Sequence, residues 1–335
     1  MRVLVVGGAG YIGSVTVERL LEAGHEVVVF DSLVSGHAAA VHPQAELVVG
    51  DARDDEALGR LFAAHRFDAV VHLAAYIQAG ESVRHPGRYF ANNVGSLICV
   101  LNAMVAYDVG MMVFSSSAAV YGIPDSIPIT EDAPIRPINP YGASKAIGEH
   151  LLPWYREAHG IRYVSLRYFN AAGATSRLGE DHRPETHLLP IALEVAMGKR
   201  EALPIYGMEH PTPDGTCVRD YVHVLDLAQA HVQALEHLSR GGPGGAYNLG
   251  GGRGCSVLEV VEAVRRITGH PLPTQSLPPR PGDPPYLVAS WERARRELGW
   301  QPTRDLEDMV ASAWEWMRVA SAWEWMRAHP QGYPR

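Results

Sequence analysis

Short apolar runs recur along the first half of the chain, separated by longer amphipathic stretches. The runs Arg2–Val6, Glu26–Phe30, Glu46–Val49, Ala69–Leu73, Met111–Phe114 and Tyr163–Arg167 predict strands. They are rich in Val and apolar without alternation, as expected of parallel strands covered on both faces. Between them, Ser14–Ala23, Asp55–Ala64 and Asn92–Tyr107 carry a helical pattern. Repeated β–α alternation predicts an α/β fold, a doubly wound (Rossmann) parallel sheet.

After about Asn170 the pattern loosens and Pro and Gly become frequent, as in PLPTQSLPPRPGDPP. Only Val224–His237 and Val257–Thr268 still read clearly as helices. A smaller mixed α/β substrate-binding domain is expected here. The division expected is 1–168 plus about 216–238 for dinucleotide binding, and 169–215 plus 239–335 for substrate. No Gly/Ser linker separates the two, so they should pack closely. Near the end, ASAWEWMR occurs at 311–318 and again at 320–327. A nine-residue shift turns an α-helix by about 900°, so the copies would face about 180° apart. The simplest expectation is a local duplication without catalytic role, in which the first copy docks and the second extends toward solvent.

Composition narrows the function. Net charge is −8 with signs interspersed and no basic tract, which argues against a nucleic-acid partner. No apolar run approaches the roughly 20 residues that span a membrane, and the N-terminus does not read as a signal peptide. Cys99, Cys217 and Cys255 are odd in number and form no CxxC pair, which fits a reducing, cytoplasmic compartment. The 16 His show no HExxH or His/Cys pattern at ligand spacing, so no metal is expected.

The first strand runs into GGAGYIG, with Gly7, Gly10 and Gly13 opening the next helix. Such glycines permit a tight turn and close approach of a pyrophosphate to the helix N-terminus. Asp31, at the end of the second strand, can accept hydrogen bonds from ribose hydroxyls and would repel a 2′-phosphate, which favours NAD over NADP. Asp51 is placed to reach the adenine, or to cap the helix that follows. Of the 29 basic residues only two are Lys, at 145 and 199. Lys145 closes YGASK, four residues after Tyr141, so the two share a helix face. A nearby ammonium lowers a phenol pKa from its ordinary value of about 10 and makes Tyr141 a possible base. Ser115, Ser116 and Ser117 follow the fifth strand, at the end where open α/β sheets bind ligands. A hydroxyl there can bridge the phenol and a substrate hydroxyl.

These motifs together resemble the extended short-chain dehydrogenase/reductase superfamily. HLAAYIQAGES, NNVGS, RYFNAAGA, CVRDYVHVLDLA, YNLGGG, RPGDPP and HPQGYP narrow the resemblance to the UDP-glucose 4-epimerases, over essentially the whole chain. The resemblance implies a homodimer with bound NAD that interconverts UDP-glucose and UDP-galactose. Tyr141 would take the proton of the sugar 4-hydroxyl while C4 is oxidised, and the 4-keto sugar would turn over before reduction. Lys145 would hold the nicotinamide ribose, and Ser117 would assist proton transfer. The implied cofactor contacts are Gly7, Gly10, Tyr11, Ile12, Gly13, Asp31, Asp51, Ala52, Leu73, Ala74, Ala75, Asn92, Ser115, Tyr141, Lys145 and Tyr168. The implied substrate contacts are Ser117, Tyr141, Asn170, His187, Leu188, Arg219, Tyr221, Arg280 and Asp283. Arg219 and Arg280 suit phosphate oxygens by their planar fork, though either could equally be a surface or ion-pair Arg.

Departures from the family pattern matter. HLAAYIQAGES has no Lys where some members place one near the cofactor, and His187 stands where some relatives have Asn. A residue governing N-acetylated sugars falls at Leu287, with Tyr286 beside it. Leu287 implies some activity on UDP-N-acetylhexosamines. A dehydratase would need a carboxylic acid pair where Ser117-Ala118-Ala119 stand. A uronate epimerase or decarboxylase would need a site for a substrate carboxylate. A non-catalytic NAD-sensing protein on the same fold would need neither YxxxK nor the Ser cluster.

Overall fold

The computed structural model describes residues 1–280 and 283–328, with side chains as far as Ser321. Six of the strands are β1 (Arg2–Val6), β2 (Glu26–Asp31), β3 (Glu46–Val49), β4 (Ala69–His72), β5 (Met111–Ser117) and β6 (Arg162–Tyr168). The remainder are β7 (Asn170–Ala172), β8 (Leu203–Tyr206), β9 (Val218–His223), β10 (Gly245–Leu249), β11 (Gly254–Ser256), β12 (Thr274–Leu277) and β13 (Tyr286–Leu287). The seven-stranded sheet runs β10-β6-β5-β4-β1-β2-β3, and every pairing in it is parallel. Its strand order reverses between β1 and β4, the place where such sheets bind ligands.

The predicted strands all occur, with small changes at their ends. Helix Tyr11–Glu22 begins ahead of the predicted Ser14, because its first turn belongs to the glycine loop and carries no apolar periodicity. The segment predicted as one helix over Asn92–Tyr107 begins as a wide turn, Phe90–Val94, and continues as helix Gly95–Ala106. With Pro86–Tyr89 it makes a continuous helical run of 21 residues, long and apolar enough by composition to cross a membrane. That corrects the expectation that no such run exists. Within it Leu97, Val100, Leu101 and Met104 are fully buried against the sheet and helix Asp55–Ala64.

Both sheet faces carry a core. Val3, Val5, Val29 and Val71 pack with Val17, Leu20, Leu227 and Leu235 on one side. Leu4, Val28, Val70 and Met112 pack with Leu58, Leu101 and Leu152 on the other. The apolar runs lack alternation because both faces are covered. The second half of the chain builds two smaller sheets: β9 carries β11, β13 and β7, and β8 pairs with β12. A separate core there joins Leu189, Leu193, Val260, Val264 and Met309. The expected boundary after residue 238 differs in one respect. Strand β10 lies in the large sheet beside β6, because GAYNL supplies Tyr247 and Leu249 to its core.

The helix that carries YGASK is Pro140–His159. Asn139 caps it by accepting from the Gly142 N–H at 2.8 Å, Pro140 stands at the first turn, and Gly160 ends it in the left-handed region. A Cβ on Gly142 would lie 2.4 Å from the Ala119 carbonyl oxygen, so the helix reaches the end of β5 only because that side chain is absent. Two turns further in, Glu149 is nearly fully buried and grips Arg167 of β6. Arg167 Nε lies 2.9 Å and Nη2 2.6 Å from the two carboxylate oxygens, and Ser116 of β5 donates to the same carboxylate. Arg167 Nη1 donates to the Tyr121 hydroxyl at 2.7 Å, and that hydroxyl donates to Asn248 Oδ1 at 2.7 Å.

In the terminal helix Leu306–Ala328 the first copy of the repeat docks. Ala313, Trp314 and Met317 pack on the second core, and Trp316 lies against Gly179. The side chain of Trp323 in the second copy, and the HPQGYP segment, lie outside the described residues.

Replacing Glu149 by Gln strands a buried guanidinium. The expected loss is about 3–5 kcal/mol of unfolding free energy, the cost of removing one partner of a buried pair. Urea unfolding of the purified variant checks this, and a loss within experimental scatter would refute the clamp.

Candidate active site

The carboxyl ends of the parallel strands gather the candidate residues on one edge of the large sheet. β1 delivers the glycine loop, β2 delivers Asp31, β4 delivers Leu73 to Ala75, β5 delivers Ser115 to Ser117, and β6 delivers Tyr168.

At the β1 end, Gly13 and Gly10 answer different needs. A Cβ on Gly13 would lie 2.1 Å from the Gly7 carbonyl oxygen, so the loop itself forbids a side chain. A Cβ on Gly10 would meet only that same oxygen, at an ordinary 3.5 Å. Nothing in the protein demands glycine at 10. Gly10 is also the N-cap of helix Tyr11–Glu22 and makes no side-chain cap, so the helix N-terminus is open to an anion. Asp31 is oriented by backbone donors, Ala9 N–H to Oδ2 at 3.0 Å and Leu33 N–H to Oδ1 at 2.8 Å. Open space at Gly10, a free helix N-terminus and an aimed carboxylate fit a dinucleotide. Tyr11 donates its hydroxyl to the Gly173 carbonyl at 2.5 Å, and Ile12 packs on the core beneath. Leu73 and Ala74 both donate their N–H to the Val6 carbonyl, which sets these two, with Ala75 following, beside Gly7 of the glycine loop.

Asp51 does not cap the next helix. Asp54 does, accepting from Glu56 and Ala57 N–H at 3.0 Å. Asp51 instead holds Arg53, with Nη2 to Oδ2 at 2.5 Å, and that hydrogen bond lowers its carboxyl pKa. Ala52 beside it is buried. Asn92 is half-buried and donates to Asn93 Oδ1 at 3.0 Å. The buried latch is Asn93, which sequence reading passed over. It accepts from Tyr76 N–H at 2.8 Å and donates to the Tyr76 carbonyl and to Ser144 Oγ, both at 3.0 Å. It thereby ties the segment after β4 to the YGASK helix. Its signal was the adjacent NN pair, of which only a structure tells the buried member.

At the β5 and β6 ends, Lys145 is buried and donates to the Ser115 carbonyl at 2.7 Å. Burial pulls its pKa down to about 7. Tyr141 is half-buried, and desolvation pushes its phenol above the ordinary value, partly opposed by the Ser117 hydroxyl. This differs from the expected effect of a neighbouring ammonium. In the protein alone, desolvation wins and Lys145 is turned to Ser115. His72, fully buried behind Lys145, has its imidazole pulled down to about 3 by burial and by the Lys145 charge. Tyr168 lies beside Ser115 and Tyr141, and its hydroxyl faces His231 Nε2 at 2.5 Å. His231 Nδ1 lies 2.8 Å from the Leu227 carbonyl and must donate to it, so Nε2 accepts from the phenol.

The candidate substrate residues form a looser set. Arg219 of β9 pairs with Asp283 and donates to the Pro284 carbonyl at 2.8 Å. Tyr221 lies two residues on in the same strand and is buried. Asn170 Nδ2 donates to the Asp220 carbonyl at 2.8 Å and so pins β7 to β9. Arg280 stacks on the Tyr206 ring at 3.9 Å, and its carbonyl accepts from the N–H of Asp283, the partner of Arg219, at 3.2 Å. Leu287 packs against the cluster that contains Ala118, Tyr121 and Phe169, and is paired in register with Arg219.

His187 precedes Leu188 at the start of helix Leu188–Ala196. It belongs to a cluster with Glu180, His182 and Glu185. Burial disfavours its charge, but Glu180 and Glu185 outweigh this and raise it to about 10. Burial likewise opposes ionisation of Glu180, yet His182 and His187 bring it down to about 2. Motif spacing gave no hint of a ligand cluster, because EDHRPETH matches no common metal pattern. The signal was its two Glu-x-His pairs, which fold onto each other.

Comparison with known proteins identifies the relatives. The NAD dependent epimerase/dehydratase family model matches residues 3–250. The UDP-glucose 4-epimerase of Streptococcus mutans is 51% identical over 99% of this chain and 99% of its own length. The crystal structure of UDP-glucose 4-epimerase from Brucella ovis in complex with NAD has a TM-score of 0.91 at 46% identity, over 93% of this chain and 97% of that one. The Bifidobacterium longum enzyme, solved in complex with NAD+ and UDP, has a TM-score of 0.90 at 38% identity, over 99% of this chain and 100% of that one.

The two glycines should respond differently to substitution. Gly13→Ala is expected to lower unfolding free energy by about 1–3 kcal/mol through overpacking. Gly10→Ala is expected to leave stability unchanged and to weaken NAD binding, read by cofactor fluorescence and thermal unfolding. Equal stability losses in both variants would contradict the assignment of Gly10 to ligand approach.

Proposed function

Because the chain belongs to the NAD dependent epimerase/dehydratase family, we infer that it is an NAD-dependent UDP-hexose 4-epimerase that interconverts UDP-glucose and UDP-galactose. The observation that carries this is full-length similarity to UDP-glucose 4-epimerases, together with Ser117 beside Tyr141 and Lys145 bonded to Ser115 at the end of β5. Bound NAD supplies a reversible hydride acceptor at its nicotinamide ring. Gly7, Gly10, Gly13 and the helix N-terminus would receive its pyrophosphate, and Asp31 its adenosine ribose. Asp51, Ala52, Leu73, Ala74, Ala75 and Asn92 would line the remainder of that cleft.

Tyr141 would take the proton from the sugar 4-hydroxyl as C4 becomes a ketone, and return it when C4 is reduced from the other face. Ser117, whose hydroxyl already opposes the rise in the phenol pKa, would share that proton. Lys145 would stabilise the phenolate once its ammonium turns from the Ser115 carbonyl. A compact ammonium on a flexible stem suits this better than the broad fork of Arg. Arg219 and Arg280 would hold the diphosphate, with Asp283 released from Arg219 to face the nucleoside. Asn170, His187, Leu188 and Tyr221 would complete that side.

Elimination chemistry is disfavoured. The carboxylate behind Ser116 is Glu149, and it is committed to Arg167. Leu287, which packs on the cluster that includes Ala118 and Phe169, is smaller than Tyr and supports turnover of UDP-N-acetylhexosamines. A homodimer is supported by apolar side chains outside the core: Trp154 on helix Pro140–His159 is 69% exposed, and Ile147 of the same helix is also exposed. Cys99, Cys217 and Cys255 are all free, which supports a cytoplasmic location.

The decisive assay supplies UDP-galactose without added cofactor. UDP-glucose should appear, and Tyr141→Phe should reduce its rate by about 10²–10⁴-fold while NAD stays bound. No conversion by the unmodified chain, even with excess NAD, would sink the reading. UDP-N-acetylglucosamine in the same assay tests the wider specificity, and no turnover removes it.

A further inference from the structure

We propose that Glu180, His182, Glu185 and His187 form a binding site for a divalent first-row transition cation of the zinc class. One ligand atom from each lies within 4.8 Å of every other. His182 Nδ1 is 3.0 Å from a Glu180 oxygen and 3.8 Å from a Glu185 oxygen. His187 Nδ1 is 2.6 Å and 3.1 Å from oxygens of the same two carboxylates. A tetrahedral centre with bonds of ~2.0–2.1 Å holds its ligand atoms about 3.3–3.4 Å apart, inside that range. One donor atom from each of the four side chains can therefore converge on one ion.

Charge points the same way. The Glu180 and Glu185 side chains are only 8% and 5% exposed. Among the described residues neither is paired with an Arg or Lys. Two buried carboxylates facing each other need compensating positive charge. Among the described residues the groups that face them are the imidazoles of His182 and His187, which compensate the carboxylates only when protonated. A divalent ion supplies the charge with both rings neutral.

The histidine geometry adds an independent sign. His187 Nδ1 is inaccessible and makes no hydrogen bond of good geometry, although two carboxylate oxygens stand close to it. A nitrogen lone pair closed off from water and converging with acidic oxygens is what an imidazole ligand presents. Two nitrogens and two oxygens favour zinc and its neighbours over calcium or magnesium, which prefer all-oxygen shells.

Such an ion would act on structure. The 180–187 segment touches the cofactor side of the cleft at several places. Asp181 lies 3.4 Å from His37, the Pro184 carbonyl accepts from Gln78 at 3.2 Å, and the His182 ring stands edge-on to Tyr11. Fixing this segment would also fix Leu188 and the helix that starts there. The proposal does not depend on the reaction assigned to the chain.

The test uses the untagged chain, stripped with chelator and titrated with Co2+ and with Zn2+. A stoichiometric site with the intense visible bands of four-coordinate Co2+, displaced by Zn2+, is expected. Glu180→Gln and His182→Ala should each weaken Co2+ binding by more than about 10-fold. His150→Ala, at an exposed position on helix Pro140–His159, should leave it unchanged. Absence of stoichiometric uptake by the unmodified chain overturns the proposal, as does unaltered affinity in both cluster variants. Should a variant fail to fold, the Co2+ spectrum of the unmodified chain decides: four-coordinate bands support the site, and six-coordinate bands or none overturn it.

Discussion

The buried pair of Glu149 and Arg167 fixes everything at the chemical end. It joins the helix bearing Tyr141 and Lys145 to the adjacent strands β5 and β6, which bring Ser115 to Ser117 and Tyr168. A charged pair so deep is costly unless its remaining hydrogen bonds are met. Here they are, through Ser116, Tyr121 and the Glu131 carbonyl. The network reaches Asn248, so β10 is tied to the same point. The absence of a side chain at Gly142 then lets the helix start close against Ala119. Position in this site therefore comes from one buried electrostatic knot and one place without a side chain.

The protein without ligands is a prepared but unfinished acid–base device. Desolvation raises the phenol of Tyr141 and lowers the ammonium of Lys145 to about 7. Both shifts disfavour the ion pair that base catalysis needs. The same desolvation makes any added positive charge in the cleft effective, since little water screens it. Cofactor binding is thus the natural trigger: a cationic nicotinamide and a reoriented Lys145 would act on Tyr141 together.

Much of this was legible from the sequence. Unbroken Val-rich runs announced a sheet covered on both faces, and GGAGYIG, Asp31, SSS and YGASK appeared at the ends of the elements that bring them together. What escaped depended on which of two adjacent residues turns inward. Asp54 caps where Asp51 was a candidate, and Asn93 latches beside Asn92. Periodicity cannot make such choices at a loop or a wide turn, where the repeat is interrupted. The strand before GGGRG falls in the large sheet and not in the substrate region, because only its parallel pairing with β6, far away in sequence, reveals where GAYNL belongs. The Glu180–His187 cluster was invisible because its pairs meet through a fold of the loop, not through helical spacing. The phenol shift was misjudged for another reason: sequence places Lys145 on the same helix face but does not reveal its bond to Ser115.

The central claim is that Tyr141 becomes a base only when cofactor binding overcomes its desolvation. Ultraviolet difference titration of the phenolate, with and without NAD, reads this directly once signals are assigned by Tyr141→Phe. The account predicts a Tyr141 pKa above the ordinary value of about 10 in the stripped chain, falling by several units toward neutrality with NAD bound. Lys145→Met should abolish most of that fall. A Tyr141 pKa that is the same with and without NAD would contradict it.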